Sequence, residues 1–402
     1  MTHIVVIGGG QAGASLTAKL RAEGFEGDVT LISEEPVPPY QRPPLSKAYL
    51  LGEMEESRLY LRPESFYVDK NIALRLGEPV TAVDTDAQTV TVGGETLHYD
   101  ELALVTGSRP RRLPAAIGGD LNCVYGVRTL ADVDRMKHKF EPGRRVLIVG
   151  GGYIGLEAAA VAAKLGLKVT LVEMAERILS RVAAPETSDY FRALHHDHGV
   201  DIREGAGLER LLGGTDVTGA RLTDGTEIDI DFAVVGVGIA PCTELAERAG
   251  LAVENGIRVD EYGRTSAPHV WAAGDCASFP RDGARLRLES VQNAIDQAEA
   301  VAKNMLGADQ PYEPKPWFWS DQYDVKLQIA GLNTGYDRVV VRKGGDPKAA
   351  SHWYYAGDRL IAVDAMNDGR AYMIGKRLIE SGKSPNAETV ADPDADLKSL
   401  LK

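Results

Sequence analysis

One glycine pattern occurs twice in this chain, and it limits the fold more than any other feature. The first copy is Ile4-Val5-Val6-Ile7-Gly8-Gly9-Gly10-Gln11-Ala12-Gly13; the second is Val146-Leu147-Ile148-Val149-Gly150-Gly151-Gly152-Tyr153-Ile154-Gly155. Each reads as a buried strand, a GxGxxG turn and the start of a helix. Gly8 and Gly150 permit the tight turn, Gly10 and Gly152 let a pyrophosphate approach the backbone, and Gly13 and Gly155 let the helix lie close on its strand. Helix starts of this kind offer unpaired N–H groups and a positive dipole end to phosphate. The acid that holds a ribose stands about 20 residues beyond the last glycine. Glu34 and Glu173 stand there, each following a second strand. Two dinucleotide sites in one chain point to electrons passing between two nucleotides.

The chain has 402 residues, enough for two or three domains. A net charge of −13 argues against general nucleic-acid binding and restricts an acidic partner to a locally basic patch. The three cysteines, Cys123, Cys242 and Cys276, form no CxxC pair and have no metal-ligand spacing. No metal site is expected, and the free thiols fit a reducing cytoplasm. A core strand starting near residue 4 leaves no room for a signal peptide, and no apolar run reaches the roughly 20 residues of a membrane span. A cytoplasmic protein is therefore expected.

Along the chain, strand 4–7, helix 11–23 and strand 29–33 lead into a proline-rich loop, Pro36 to Lys47. Strand-like alternation follows at 80–83 and 89–92, then a buried strand at 102–105 ending in Thr106-Gly107-Ser108. A second unit repeats the plan with strand 146–149, helix 153–165 and strand 169–172. Residues 200–232 read as an antiparallel meander with an Asp224-Gly225 turn, and Phe232–Gly238 returns a strand to the sheet. Strand His269–Ala273 runs into Gly274-Asp275, and a helix with one apolar face covers 289–305. From Trp317, strands at 326–330, 337–342, 351–355 and 360–364 and a helix near 368–381 form a small domain. The fold class is α/β: two Rossmann-like nucleotide-binding domains and a small C-terminal α+β domain. The boundaries are 1–107 with 241–316 for the first, 108–240 for the second and 317–402 for the third.

Glu173 would repel a 2′-phosphate, which favours NADH over NADPH; the alternative is that Arg177, four residues on, reads such a phosphate. Asp275 can accept hydrogen bonds from a sugar-alcohol chain such as ribityl, or only cap its turn. A helix starting near Glu289 can aim its positive end at a flavin ring.

The ordered set Gly8–Gly13, Arg42-Pro43-Pro44-Leu45-Ser46-Lys47, Thr106-Gly107, Gly150–Glu157, Gly274-Asp275 and Pro316-Trp317-Phe318-Trp319-Ser320-Asp321-Gln322 resembles the FAD-dependent ferredoxin reductases of bacterial oxygenase systems. The likeness covers essentially the whole chain. It implies a glutathione-reductase-type fold, with FAD on the first fingerprint (Gly8, Gly10, Ala12, Gly13) and Glu34 on its ribose. Arg42, Pro44, Lys47, Val80, Arg128, Gly274, Asp275 and Val291 match positions that line FAD. NADH, as substrate, takes the second fingerprint (Gly150, Gly152, Tyr153, Ile154, Gly155) with Glu173 on its ribose, Arg181 near its pyrophosphate and Gly238 nearby. Trp319 matches an aromatic beside the flavin; its other reading is a core tryptophan.

Lys47 and Glu157 match a pair that assists hydride transfer. A lysine beside the flavin stabilises arriving negative charge, and a carboxylate keeps that lysine charged. Read without the resemblance, the pair is an ordinary interdomain salt bridge.

The resemblance further implies hydride transfer from NADH to FAD, then single electrons to a two-iron two-sulfur ferredoxin that feeds an oxygenase. The ferredoxin is expected to be acidic and to dock near the flavin entrance, with Arg62, Arg285, Arg287 and Lys315 as its basic contacts. A monomer or weak homodimer is expected. Residues 34–50 contain no cysteine, so a thiol relay from that loop is excluded. The alternatives are a reductase for rubredoxin or a small-molecule acceptor, and a nucleotide-regulated flavin-binding module.

Overall fold

The computed structural model describes residues 2–401. The chain divides into two compact units. One runs through Gln41 and adds Glu55–Arg109 and Ile239–Pro316; the other holds Arg42–Met54, Pro110–Gly238 and the chain from Trp317 onward.

The first unit is built on a five-stranded parallel sheet in the order Val270–Ala272, Glu101–Leu104, His3–Ile7, Asp28–Ser33, Ile72–Leu76. The chain steps outward from His3–Ile7 in one direction and then returns to that strand's other side at Glu101–Leu104. That reversal is the point at which open α/β sheets bind ligands, and the first fingerprint leaves the sheet there. Both faces of the sheet are covered, so its strands read as continuous apolar runs. One face takes helices Gln11–Ala22 and Val291–Met305, packed through Ala12, Leu16, Leu20, Ala294, Ala298, Val301 and Ala302. Small alanines on both helices allow their close approach. A three-stranded antiparallel sheet, Val80–Asp84, Thr89–Val92 and Glu95–His98, belongs to the same unit.

The second unit repeats the plan, with strands ordered Asp201–Glu204, Lys168–Glu173, Arg145–Val149, Phe232–Val235, Val124–Tyr125. Here one expectation fails. Residues 201–204 are not part of the meander; they pair in parallel with Thr170–Glu173. Only Leu208–Gly213, Val217–Leu222 and Glu227–Asp229 form the antiparallel piece. A four-residue strand carries too little pattern to reveal which partner it takes. The same unit contains a five-stranded antiparallel sheet, ordered Trp317–Gln322, Val325–Gly331, Arg359–Met366, Ala350–Ala356, Arg338–Lys343, covered by helix Gly369–Glu380. Among the described residues no helix is long and apolar enough to cross a membrane.

Candidate functional site

In the first unit Gly8 has φ +129°, and a Cβ there would stand 2.2 Å from the carbonyl oxygen of Val105. A Cβ on Gly13 would stand 2.0 Å from the Gly8 oxygen. Neither position accepts a side chain. Gly10 is the opposite case: a Cβ would meet nothing within 4 Å. It is the N-cap of Gln11–Ala22, gives that helix no side-chain cap, and no acid occupies the first turn. The helix thus presents uncapped N–H groups across an open glycine, a cradle that fits an anionic pyrophosphate. Gly274 has φ +82°, a Cβ there would stand 3.2 Å from Ala12 Cβ, and its N–H donates to Gln297 Oε1 at 2.8 Å. Asp275 follows and accepts a hydrogen bond from Ser108 Oγ at 2.7 Å. The structure therefore brings Ala12, Gly274 and Asp275 to the fingerprint.

The 289–305 helix starts at Val291, not Glu289. Ser290 caps it by accepting from the Asn293 N–H, while Glu289 pairs with Arg287 at 2.6 Å. Glu34 is exposed just beyond strand Asp28–Ser33. By sheet register the counterpart of Glu173 is Ser33, one residue earlier, because Ile7 pairs with Ile32 and Val149 with Val172.

The second fingerprint has the same geometry. Gly150 has φ +107° and a Cβ there would run into the Gly236 oxygen, a Cβ on Gly155 would stand 2.0 Å from the Gly150 oxygen, and a Cβ on Gly152 would meet nothing within 4 Å. Helix Tyr153–Lys164 also begins without a side-chain cap or a first-turn acid. The Glu173 carboxylate accepts from the N–H groups of Gly151 (2.7 Å) and Ala175 (2.8 Å), which fixes it beside the turn. Arg181 is exposed, its guanidinium 3.7 Å from where a Gly238 Cβ would stand. Arg177 is turned inward, donating to Ser188 Oγ (2.6 Å) and to the carbonyls of Ser180 and Ala183. A guanidinium so engaged would have to break those bonds to reach a 2′-phosphate. Ile154 is exposed, whereas the Tyr153 hydroxyl is buried and its ring packs 5.0 Å from that of Phe318.

A buried polar cluster lies in the second unit. Pro43–Ser46 forms a single 3₁₀ turn, started by two prolines, that delivers Ser46 and Lys47 to helix Tyr153–Lys164. Lys47 Nζ lies 2.6 Å from Glu157 Oε2, and Ser46 Oγ donates to the same oxygen at 2.7 Å. Ser320 Oγ donates to Oε1 at 2.7 Å. Glu157 is 4% exposed. A carboxylate this deep is tolerated because both oxygens are hydrogen-bonded and a cation is in contact. Ser46 and Ser320 were not assigned from sequence, although both lie inside segments that carry the resemblance. On strand Trp317–Gln322, alternation sends Ser320 and Gln322 to one face and Trp319 to the other. The Trp319 ring is 5.6 Å from that of Trp317. Arg42 donates to the Arg128 carbonyl at 2.7 Å, which joins two more of the expected residues. Val80 opens its strand half-buried.

Two of the basic residues expected on a docking surface are engaged elsewhere. Arg285 binds Ser278 and the Val259 carbonyl, and Arg287 binds the Asp275 carbonyl and Glu289. Arg62 and Lys315 are exposed. All three cysteines are free thiols, and Cys276 is buried, its thiol pushed up in pKa by that burial.

Residues 2–298 match the family described as pyridine nucleotide-disulphide oxidoreductase, and residues 317–401 match a reductase C-terminal domain. The chain belongs to the pyridine nucleotide-disulphide oxidoreductase family. It is accordingly an oxidoreductase, with FAD and a pyridine nucleotide as cofactors, and the two open glycine cradles fit that pair. The chain is 44% identical to the 5,5′-dehydrodivanillate O-demethylase ferredoxin reductase subunit of Sphingobium sp. (strain NBRC 103272 / SYK-6), over 98% of this chain and 97% of the relative. It is 41% identical to rhodocoxin reductase of Rhodococcus erythropolis, over 99% and 94%. Its structure matches the reductase of a crystallised covalent putidaredoxin reductase–putidaredoxin complex with TM-score 0.95 and 40% identity, covering 100% of this chain and 98% of that one. Residues 34–50 hold no cysteine.

Proposed function

We propose that this chain is an NADH-dependent reductase that passes electrons to a two-iron two-sulfur ferredoxin serving an oxygenase. One observation carries the reading: the loop that would hold a redox thiol in a disulphide reductase instead delivers Lys47 to a buried carboxylate. The full-length likeness to ferredoxin reductases supports it. When bound, FAD supplies the conversion of a two-electron donor into one-electron steps.

The residues divide the remaining work. Residues 1–107 and 241–316 form the FAD-binding domain. Gly8, Gly10, Ala12 and Gly13 hold the flavin nucleotide's pyrophosphate, Glu34 its ribose and Asp275, beside Gly274, its ribityl hydroxyls. Arg42, Pro44, Val80, Arg128 and Val291 complete the lining. Residues 108–240 form the NAD-binding domain, and 317–402 the C-terminal domain. Gly150, Gly152, Tyr153, Ile154, Gly155 and Gly238 shape the nicotinamide nucleotide's site. Glu173 accepts its ribose hydroxyls and opposes a 2′-phosphate, and Arg181 meets its pyrophosphate. Lys47 places positive charge where the flavin gains negative charge, Glu157 fixes that ammonium, and Trp319 bounds the ring.

The partner ferredoxin is acidic and docks on a local basic surface that includes Arg62 and Lys315. The free thiols suit a cytoplasmic setting. The test is NADH turnover against ferredoxins encoded near the gene, with rubredoxin alongside. Saturable, salt-sensitive reduction of a ferredoxin supports the reading; preferred reduction of rubredoxin, or NADH-dependent dimerisation without turnover, refutes it.

A further inference from the structure

Behind Glu157 a row of buried polar side chains continues away from Lys47. Gln322 Nε2 lies 3.2 Å from Ser320 Oγ, Gln322 Oε1 lies 2.8 Å from His195 Nε2, and His195 Nδ1 lies 3.2 Å from the Tyr323 hydroxyl. Ser320, Gln322 and His195 are each 0% exposed. No role assigned above uses Gln322, His195 or Tyr323.

The direction of this row follows from its charged end. A carboxylate only accepts, so Ser320 must give its proton to Glu157 Oε1. Ser320 Oγ must then accept from its other neighbour, which turns the Gln322 amide nitrogen towards it. Gln322 Oε1 therefore faces His195 and needs a donor there, so the imidazole carries its proton on Nε2. Nδ1 is left to accept from Tyr323. Burial lowers the pKa of His195 to about 4, and a neutral ring holds one proton, as the row requires.

A second observation points to the same row. Tyr323 and Asp324 form a two-residue turn between strands Trp317–Gln322 and Val325–Gly331, and Tyr323 has φ +56°. A tyrosine in the left-handed region is strained where glycine would not be. Its ring stacks on His198 at 3.7 Å and its hydroxyl reaches His195, contacts that glycine would forfeit.

We propose that His195 is a positioning residue for the Lys47–Glu157 pair: through Gln322 and Ser320 it fixes a one-way row of donors that ends on Glu157 Oε1. Without the His195 donor, the Gln322 amide is free to turn. Its oxygen then competes for the Ser320 proton, and Glu157 keeps donors on one oxygen only. The effect on electron transfer rests on the reading of Lys47 given above; the hydrogen-bond direction does not.

Two measurements test this. Nitrogen-15 NMR of histidine-labelled holoenzyme, with His195 assigned by difference against His195→Gln, reads the tautomer. Anaerobic stopped-flow with NADH reads flavin bleaching in the wild type, His195→Leu and His195→Gln. The row predicts the Nε2–H tautomer. It also predicts that His195→Leu bleaches about tenfold more slowly at saturating NADH with unchanged NADH affinity, the effect of losing one hydrogen bond to a charged group. His195→Gln, which can still donate to Gln322 Oε1, recovers most of the rate. An Nδ1–H tautomer, a wild-type rate in His195→Leu, or equal impairment in both variants overturns the proposal. If His195→Leu fails to fold, the tautomer still decides it. A wild-type flavin that NADH does not bleach sinks the functional reading instead and leaves the tautomer result to judge the row.

Discussion

Gly152→Ala separates a folding role from a binding role in a single methyl group. The added Cβ meets nothing within 4 Å, and the residue has φ −82°, which alanine adopts freely. Two folding effects then nearly cancel. Alanine is a poorer N-cap than glycine by a few tenths of a kcal/mol to about 1. Replacing glycine restricts the unfolded chain and returns about 0.4–1 kcal/mol. Net stability should change by less than about 0.5 kcal/mol, a shift in Tm on the order of 1–2 °C. The methyl would occupy the approach to the uncapped N–H groups of helix Tyr153–Lys164. Loss of charge-assisted hydrogen bonds to pyrophosphate costs about 2–3 kcal/mol, roughly 50-fold in Kd. Gly155→Ala is the contrast: its Cβ would stand 2.0 Å from the Gly150 oxygen, and this should destabilise the fold by about 2 kcal/mol or more. Calorimetric titration with NAD⁺ and thermal melts of both variants make the comparison. Wild-type NAD⁺ affinity in Gly152→Ala, or a melt lowered as far as that of Gly155→Ala, would refute the cradle argument.

Other outcomes follow from the same geometry. Glu173→Gln should raise the NADPH-to-NADH ratio of kcat/KM about tenfold by removing repulsion of the 2′-phosphate. An unchanged ratio counts against Glu173 as the discriminating group. Lys47→Met removes the cation from a carboxylate that is 4% exposed, so stability should fall by about 3 kcal/mol in chemical denaturation and flavin bleaching by NADH should slow. A variant as stable and as fast as wild type would show that the pair is idle. Acid stability is the third case. Burial lowers His195 and His352 to about 4, so each contributes stability that is complete above the unfolded value near 6.5 and is lost as pH falls towards 4. Asp364, raised to about 6 by burial, acts oppositely, its contribution present at low pH and lost as pH rises through about 6. Between pH 6 and 4 it offsets about one of the two histidines. Asp364→Asn should therefore steepen the fall in Tm over that window, and an unchanged slope would contradict the opposing signs.

The nucleotide halves were largely legible because their signals are local. Strand, glycine turn and helix are contiguous, and Gly8 and Gly150 need a backbone conformation that only glycine adopts cheaply. The surroundings of Glu157 were half legible. Lys47 and Glu157 could be named from resemblance, but Ser320, Gln322 and His195 reach the cluster from segments far apart in sequence. Helix Pro185–Asp197 escaped notice because its buried face carries Thr187, Ser188, Phe191 and His195, a mixed polar face that hides the apolar period. Strand Asp201–Glu204 was misjudged because alternation shows that a strand exists without naming its neighbour. Arg285 and Arg287 looked like surface charges, since nothing in a sequence shows that a guanidinium will bond to nearby backbone carbonyls.

On the proposed function, electrons leave the flavin directly for an iron–sulfur partner without a thiol step. A double-mixing stopped-flow experiment on a variant with Cys123, Cys242 and Cys276 all replaced by alanine puts this to the test. Flavin is bleached anaerobically with one equivalent of NADH and then mixed with a two-iron two-sulfur ferredoxin. Bleaching should proceed at close to the wild-type rate, followed by return of flavin absorbance in step with reduction of two equivalents of ferredoxin. A cysteine-free protein that folds and binds FAD but is not bleached by NADH, or is bleached and cannot reduce ferredoxin where the wild type does, would contradict it.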